Sequence, residues 1–429
     1  GMGGAAALAS IFQAPITGVI FSMEVFMIDI SMTALIPIII SAFVAILTSY
    51  MFLGRAFEYS ITIQEGFVPG NTWYYVGLGI VVGLVSAYFM RVYFSVDKSF
   101  KKISNPWMRF VLASLALGGL IFVFPSLYGE GYETIQSALN GDIVEIFRGT
   151  LFERYTAIPW VMLVVLLAII LAKAFATSLT FAAGGVGGTF APALFLGATT
   201  GMLFSMTINY LGIGDLEVGK FALVGMSGLI GAMLHAPLTG IFLIAEITNG
   251  YTLMVPLMIV SALSLAVNRI FFKESIYTYS IARQGVKVSF NKDESILSMM
   301  TATNLIETNF STIGPKETLE NLIPLIASSA RNIYPVVDED GMFKGHILFD
   351  DIRPIMFDRK LYCVLIENIM VKPQYVIDPD ESMEDIVRKF NESRKYNIPV
   401  VKDGRYVGYL SRAKVFTTYQ ETLREISAD

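Results

Sequence analysis

The stretches GGAAALASIFQAPITGVIFSMEVF (3–26) and GMSGLIGAMLHAPLTGIFLIAEIT (225–248) are two versions of one phrase, 222 positions apart. At this single offset Glu24 aligns with Glu246, and the central pentapeptides read APITG and APLTG. Prolines, glycines and acids that match at one offset indicate an internal duplication, which is common in transporters, where the site lies between the repeats. The alternative is two unrelated membrane helices whose small residues allow close packing.

The composition is that of a membrane protein. The chain has 429 residues, a mean hydropathy of +0.60, 54% hydrophobic and 16% charged residues, which is too apolar for a soluble protein. Segments without charge are each about as long as a helix of ~20 residues that crosses a bilayer. They are 31–54, 73–90, 110–129, 155–172, 174–214 and 247–268, and 174–214 is long enough for two helices.

The two copies of the repeat differ in what precedes them. Apolar elements before the second copy begin near residue 73, whereas only two residues precede Gly3. The comparison predicts that roughly 150 residues of the first repeat lie upstream of this chain, by the same count of positions. The initial Gly-Met is then a tag glycine and a chosen start.

Charge predicts the orientation in the membrane. The segment 91–109 carries five Lys or Arg and one acid, whereas the segment 127–157 is acidic. The positive-inside rule places 91–109 in the cytoplasm, and the basic end of the apolar region places the C-terminal domain there too. We therefore expect a multi-pass protein of the cell membrane with a cytoplasmic C-terminal part.

The stretch GGVGGTFAP (184–192) is the candidate for chemistry. Irregular backbone at membrane depth survives only where it lines a cavity or is buried in protein. Pro192 suits the first turn of a helix, so the amides of Thr189 and Phe190 would lie at its positive end, which favours an anion. A glycine-rich seam between packed helices is the alternative that the residues leave open.

Four motifs in order resemble the CLC family of chloride channels and chloride/proton antiporters. GGVGGTFAP resembles the family's Gly-x-Phe-Ala-Pro signature, and the two copies of the repeat resemble its helices at the dimer interface. KESIYTYSIAR (273–283) resembles the segment that carries an anion-coordinating tyrosine, which falls on Tyr277. The resemblance implies a multi-helix α membrane protein with an inverted internal repeat, which forms a homodimer and moves chloride or similar small anions.

The resemblance also implies the site. In the family, two backbone amides and a tyrosine hydroxyl hold the anion, and these carry over to Thr189, Phe190 and Tyr277, with Gly188 beside them. A serine in Gly-Ser-Gly-Ile-Pro and a gating glutamate in Gly-Arg-Glu-Gly-Pro complete the family's site. Neither motif occurs in this sequence.

Coupling to protons is the point at which this chain departs from the antiporters. They usually place an acid directly after the residue equivalent to Glu24, and here that residue is Val25. The substitution favours channel-like or altered coupling. Glu24 and its counterpart Glu246 are candidates for either a proton relay or a structural role, since a buried carboxylate is costly and normally paired. A chloride/proton antiporter that uses another proton path is the alternative.

A second duplication lies in the C-terminal part. At an offset of 64, residues 312–352 resemble residues 376–415, and each copy reads as strand, helix, strand, turn, strand and helix. The pair resembles tandem CBS domains, predicted over 295–355 and 366–426 after a transmembrane domain over 1–288. Such pairs often bind adenine nucleotides.

The nucleotide pattern of the CBS family is incomplete here. The pattern is Gly-x-x-Ser/Thr-x-x-Asp, and the first copy keeps only its acid, Asp351, whereas the second keeps only its hydroxyl, Ser411. Two readings follow, a weak adenine nucleotide site at Asp351 and Ser411 or a purely structural dimerisation module. Chloride is the expected ligand, and no other cofactor is predicted.

Other classes of protein fit less well. An intramembrane metalloprotease needs a His-Glu-x-x-His helix, whereas the two histidines here, His235 and His346, are far apart in sequence. We therefore predict no enzyme activity, no metal site and no nucleic-acid partner. A truncated, non-conducting chain with a regulatory or dimerising role is a further alternative. The expected partners are a small anion, the lipid bilayer and a second copy of the chain.

Overall fold

The computed structural model describes residues 1–26, 32–54, 66–279, 296–297 and 300–428. The chain divides into two compact units, Gly1–Ser280 and Ile281–Asp429. The predicted boundary between the transmembrane domain and the first C-terminal domain, 288–295, lies outside the described residues. The end of the tyrosine-bearing motif, 280–283, lies outside them as well.

The first unit is helical. Among the described residues, six helices are long and apolar enough to cross a membrane, whereas the uncharged segments were long enough for seven. They are α3, α4, α5, α8, α9 and α12 of the following list. The helices are α1 (Met2–Phe12), α2 (Pro15–Val25), α3 (Met32–Leu53), α4 (Thr72–Lys101), α5 (Pro106–Val123), α6 (Tyr132–Leu139), α7 (Ile143–Phe147), α8 (Pro159–Ala182), α9 (Phe190–Tyr210), α10 (Val218–Leu234), α11 (Pro237–Ile247) and α12 (Met254–Phe271).

The basic segment 91–109, which follows the uncharged segment 73–90, is largely helical. Helix α4 continues to Lys101, and the connection to α5 is only a few residues long. Lysines near the end of α4 interact favourably with the negative end of the helix dipole, so the helix extends past its apolar part. Asn105 then caps α5, because its side-chain oxygen accepts a hydrogen bond of 2.9 Å from the Trp107 N–H.

Two further boundaries differ from the predicted ones. The acidic segment 127–157 carries the short helices α6 and α7, and the uncharged segment 174–214 contains the second half of α8 followed by α9. Helix α8 ends where Gly184 adopts a φ of 88°, a left-handed conformation that glycine reaches without strain. The position of this turn within the uncharged segment decides where one helix stops and the next begins.

The two copies of the repeat have the same backbone. Each enters its second helix through a residue in the left-handed conformation, Gln13 with a φ of 52° and His235 with a φ of 56°. The alanines that follow have nearly equal angles, φ −121° and ψ 79° at Ala14 against φ −125° and ψ 70° at Ala236. Equal conformations at positions 222 apart confirm the duplication.

The same glycine contact also occurs in both copies. A Cβ at Gly18 would collide with the carbonyl oxygen of Ala5, and one at Gly240 would collide with the carbonyl oxygen of Ser227. The backbones of α1 and α2 in the first copy, and of α10 and α11 in the second, are therefore in contact at equivalent positions. No larger residue fits these two crossings unless the helices separate.

Glutamates connect the two copies head to tail. Glu24, near the C-terminus of α2, accepts hydrogen bonds from the N–H groups of Leu238 and Thr239 at 2.9 and 2.7 Å, at the N-terminus of α11. Glu246, near the C-terminus of α11, accepts from Ile16 and Thr17 at 3.0 and 2.7 Å, at the N-terminus of α2. The helices are therefore antiparallel, and the repeat is inverted as predicted.

The second unit consists of two similar α/β modules. The first contains α13 (Leu319–Ser328), β1 (Ile333–Val337), β2 (Phe343–Leu348) and α14 (Phe349–Ile352), and the second contains α15 (Met383–Ser393), β3 (Asn397–Lys402), β4 (Arg405–Ser411) and α16 (Arg412–Ala428). Strand β1 pairs antiparallel with β2, and β3 with β4, with the register shift at equivalent positions. The strand predicted to open each module is reduced to one parallel bridge, from Ile313 to Val336 and from Ile377 to Val400.

Candidate functional site

The glycine-rich turn places the start of α9 at the candidate anion site. After α8, the N–H of Gly185 donates to the carbonyl of Thr180 at 3.0 Å, which closes the end of that helix. Gly188 is exposed, and Thr189 is the N-cap residue of α9. The next three residues open the helix, so the N–H groups of Phe190 and Ala191 have no partner within it, and Pro192 has no N–H to satisfy.

Thr189 and Tyr277 meet at this helix end. The Thr189 hydroxyl donates a hydrogen bond of 3.1 Å to the Tyr277 hydroxyl oxygen, although the two residues are 88 positions apart. Thr189 is buried, whereas Tyr277 is 40% exposed. Gly188, Thr189, Phe190 and Tyr277, the residues predicted for the anion, therefore lie around one helix N-terminus.

A short turn positions Tyr277. The N–H of Ile276 donates to the carbonyl of Met233 at 3.2 Å, which fixes the turn to the end of α10. Around the tyrosine, the Ser275 N–H donates to the Thr278 hydroxyl at 3.0 Å, and the Thr278 N–H donates to the Ser275 hydroxyl at 3.2 Å. These bonds hold the tyrosine backbone and leave its hydroxyl directed at α9.

The first repeat contributes to the site through aromatic packing. The ring of Phe190 lies 5.5 Å from that of Phe12 in α1 and 6.0 Å from that of Phe21 in α2, measured between centroids. Such contacts contribute about 0.5–1.5 kcal/mol each beyond the burial of their area. They fix the first turn of α9, whose free amides form the candidate site.

Glu24 and Glu246 do not lie at the start of α9. Besides the two N–H groups described above, each carboxylate accepts a hydrogen bond from a threonine hydroxyl, Thr239 at 2.7 Å for Glu24 and Thr17 at 2.6 Å for Glu246. Each is therefore fully engaged as the cap of the opposite helix. The two glutamates align in the sequence, but their exchange between the copies was not predicted. The threonines at equivalent positions of APITG and APLTG could have indicated it.

The second unit has a cleft of about 420 Å³ between its modules. Its lining includes His346, Asp350, Lys372 and Lys395. Burial, with a smaller contribution from Lys395, lowers the pKa of His346, and its ring forms a 3.2 Å hydrogen bond with the Tyr409 hydroxyl.

Asp351 and Ser411, the residues predicted for a nucleotide, are not among the residues that line this cleft. Asp351 belongs to α14, and the Ser411 hydroxyl accepts the N–H of Lys414 at 3.2 Å at the start of α16.

The helical fold of the first unit and the two modules of the second agree with the family models that match the chain. Residues 1–269 match the voltage gated chloride channel family, and residues 366–421 match the CBS domain. The chain therefore belongs to the voltage-gated chloride channel family, with a CBS domain in its C-terminal unit.

Curated relatives are named as chloride channels. The voltage-gated ClC-type chloride channel ClcB of Escherichia coli strain SMS-3-5 is 29% identical over 285 residues, which are 66% of this chain and 64% of that protein. ClcB of Escherichia coli O157:H7 matches to the same extent. The chain thus covers less than two-thirds of the length of these relatives.

Solved structures share the fold. A eukaryotic CLC transporter superposes with a TM-score of 0.52 at 19% identity, over 96% of this chain and 69% of its own. A slow cyanobacterial chloride/proton antiporter gives 0.50 at 22% identity, over 66% of this chain and 64% of its own. A CLC-type fluoride/proton antiporter also gives 0.50 at 22% identity, over 64% of this chain and 63% of its own. Channels and antiporters therefore both occur among the proteins that this chain resembles.

Proposed function

We propose that this chain moves chloride or a similar small anion across the membrane, and that the N-terminus of α9 holds the anion. The observation that carries the proposal is the meeting of Thr189 and Tyr277 in front of the unpaired first amides of α9. Oriented amides and the helix dipole attract an anion without a buried cation. Such a site binds weakly enough to release its anion, which transport requires.

The test is chloride binding by calorimetry with Tyr277→Phe and Tyr277→Ala. Loss of one hydroxyl donor costs about 0.5–1.5 kcal/mol, so affinity falls about two- to tenfold in the Phe variant and at least as much in the Ala variant. Tyr279→Phe is the matched control, because Tyr279 stacks on Phe94 at 3.9 Å between ring centroids and should leave affinity unchanged. Unchanged affinity in both Tyr277 variants would remove the tyrosine from the site.

We further propose that anion movement through this chain is not coupled to protons, or is coupled to them differently from the antiporters. Val25 packs against the apolar core, and a hydrocarbon side chain neither takes up nor passes on a proton. Glu24, the neighbouring acid, is held by three hydrogen bonds at α11 and acts as a helix cap. These contacts favour a structural role for Glu24 over a relay.

The chain acts as a homodimer in this proposal, with α2, α3, α11 and α12 at the interface. Helix α3 presents a row of exposed apolar side chains, among them Ile36, Ile40, Phe43 and Leu47, and α11 exposes Leu238. An apolar surface of this extent is covered by lipid or by a second subunit.

The CBS unit lies in the cytoplasm in this proposal. Under the charge rule, the lysines in the last turn of α4 and Arg269 in the last turn of α12 support that side. The incomplete nucleotide pattern at Asp351 and Ser411, and their absence from the lining of the cleft between the modules, favour a dimerising role over nucleotide binding.

A further inference from the structure

A lysine is buried in the helical unit at a place that the anion site described above does not use. Lys173, in the middle of α8, is 3% exposed. Its Nζ lies 4.5 Å from the centroid of the Phe195 ring and 3.5 Å from the carbonyl oxygen of Gly129. Within the described ranges, Lys173 forms none of the ion pairs of the helical unit. The carboxylate of Glu130 acts on the lysine electrostatically but forms no ion pair with it. A buried charge without a counter-ion in direct contact is costly, so this position favours an anion beside it.

The lysine lies on the wall of a cleft that reaches α9. The cleft has a volume of about 640 Å³, which is ample for hydrated halide ions. Its wall combines one face of α8, the glycine-rich turn and the start of α9 with apolar side chains of α1 and α5. On the first three elements the lining residues include Lys173, Thr177, Thr180, Gly187, Gly188 and Ala191.

Two of these side chains can serve an anion at the inner end of the cleft. Thr177 follows Lys173 by one helical turn and is therefore on the same face of α8. The Thr180 hydroxyl, one further turn along, donates to the Ala176 carbonyl at 2.9 Å and so is not available to a ligand. The ammonium group of Lys173 and the hydroxyl of Thr177 are thus the donors.

We infer that Lys173 holds a second small monovalent anion in this cleft, from which the anion reaches the start of α9. The inference rests on the proposed transport of chloride. Phe195, which Lys173 contacts, is five residues after Phe190, so the lysine lies on the order of 10 Å from the helix end, at 1.5 Å per residue plus the lateral offset. At that separation a unit charge alters anion affinity about tenfold when the effective dielectric constant is near 20.

Glu130 provides a matched control on the same cleft. It is exposed at the rim and is the acid among the described lining residues. If Lys173 binds no anion, removal of this exposed and solvent-screened acid leaves anion binding at the start of α9 unchanged. If Lys173 attracts an anion, Glu130→Gln removes a repulsive charge and strengthens binding.

The first experiment is bromide anomalous diffraction from crystals of the purified protein. We expect one peak within about 4 Å of the Lys173 Nζ, a distance at which a charge-assisted contact is made directly. That peak disappears in Lys173→Met, whereas a peak between Thr189 and Tyr277 persists. Absence of the first peak in the wild-type protein overturns this inference whatever occurs at Thr189. Absence of the second peak alone instead overturns the proposed anion site.

The second experiment is chloride calorimetry at the Thr189 site. Lys173→Met should weaken binding about tenfold, the factor that corresponds to about 1.4 kcal/mol, and Lys173→Arg should restore most of it. Glu130→Gln should strengthen binding, and because Glu130 is exposed this variant decides the matter even if Lys173→Met fails to fold. Weaker or unchanged binding in Glu130→Gln, or unchanged binding in a folded Lys173→Met, would overturn the inference.

Discussion

Replacement of Glu24 by glutamine removes an acceptor at a point where three donors converge. The two carboxylate oxygens accept from the Leu238 N–H at 2.9 Å, the Thr239 N–H at 2.7 Å and the Thr239 hydroxyl at 2.7 Å. A glutamine side chain has a single acceptor oxygen, and its NH₂ group would face a donor. At least one N–H at the start of α11 therefore loses its partner.

The expected cost follows from these contacts. A hydrogen bond to a charged group contributes about 1.5–3 kcal/mol, and a negative charge at a helix N-terminus about 0.3–1 kcal/mol more. Burial of a neutral amide is cheaper than burial of a carboxylate, which offsets part of the loss. We expect the free energy of unfolding to fall by about 2 kcal/mol on this balance.

The assay is equilibrium unfolding of the purified protein in mixed micelles, with increasing fractions of a denaturing detergent. Glu246→Gln is the matched variant, because Glu246 accepts from Ile16, Thr17 and the Thr17 hydroxyl at 3.0, 2.7 and 2.6 Å. The free energy of unfolding should fall by the same amount in both variants, to within about 0.5 kcal/mol, which is the usual limit of error when independent substitutions are compared. A loss below that limit in both would refute the capping argument, and a loss in only one would refute the equivalence of the two copies.

Two other predictions concern protons. With Val25 beside the capped Glu24, chloride efflux from proteoliposomes should drive little proton movement when external pH is recorded at the same time, and proton uptake at a fixed ratio to chloride would contradict this. Burial, aided by Lys395 and opposed by Asp351, lowers the pKa of His346 below 6.5, so the unfolded state binds the proton more readily and stability falls as pH drops below about 6.5. Thermal unfolding between pH 7.5 and 5.5 should show this decline, and His346→Asn should reduce it; an equal decline in both proteins would exclude the histidine as its source.

The sequence predicted the architecture of the helical unit because local chemistry encodes it. The offset between APITG and APLTG revealed the duplication, and in the structure the matched prolines occupy the first positions of α2 and α11. The membrane spans followed from the absence of charge, but their ends did not. Helix α4 extends beyond its apolar part into basic residues. Lysines at a helix C-terminus interact favourably with the helix dipole while they remain in water, so the end of the apolar segment does not mark the end of the helix.

The candidate site was predictable only in part. The glycine-rich turn before Pro192 signalled a helix N-terminus at membrane depth, and the family resemblance added Tyr277. The 3.1 Å contact between Thr189 and Tyr277 depends on the turn that docks on the end of α10, which no local pattern describes. Hydrogen bonds across such separations arise when helices pack, and packing depends on the whole set of side-chain shapes.

By itself, the sequence determined that the chain is a duplicated, helical membrane protein followed by a duplicated α/β pair, because periodicity, charge and turn residues act locally along the chain. The tertiary structure alone decided which polar groups meet. It placed Glu24 at the start of α11, Glu246 at the start of α2, and Lys173 beside Phe195 on the wall of the cleft. A buried polar group is stable only beside a suitable partner, and in an inverted repeat that partner comes from a helix far away in sequence.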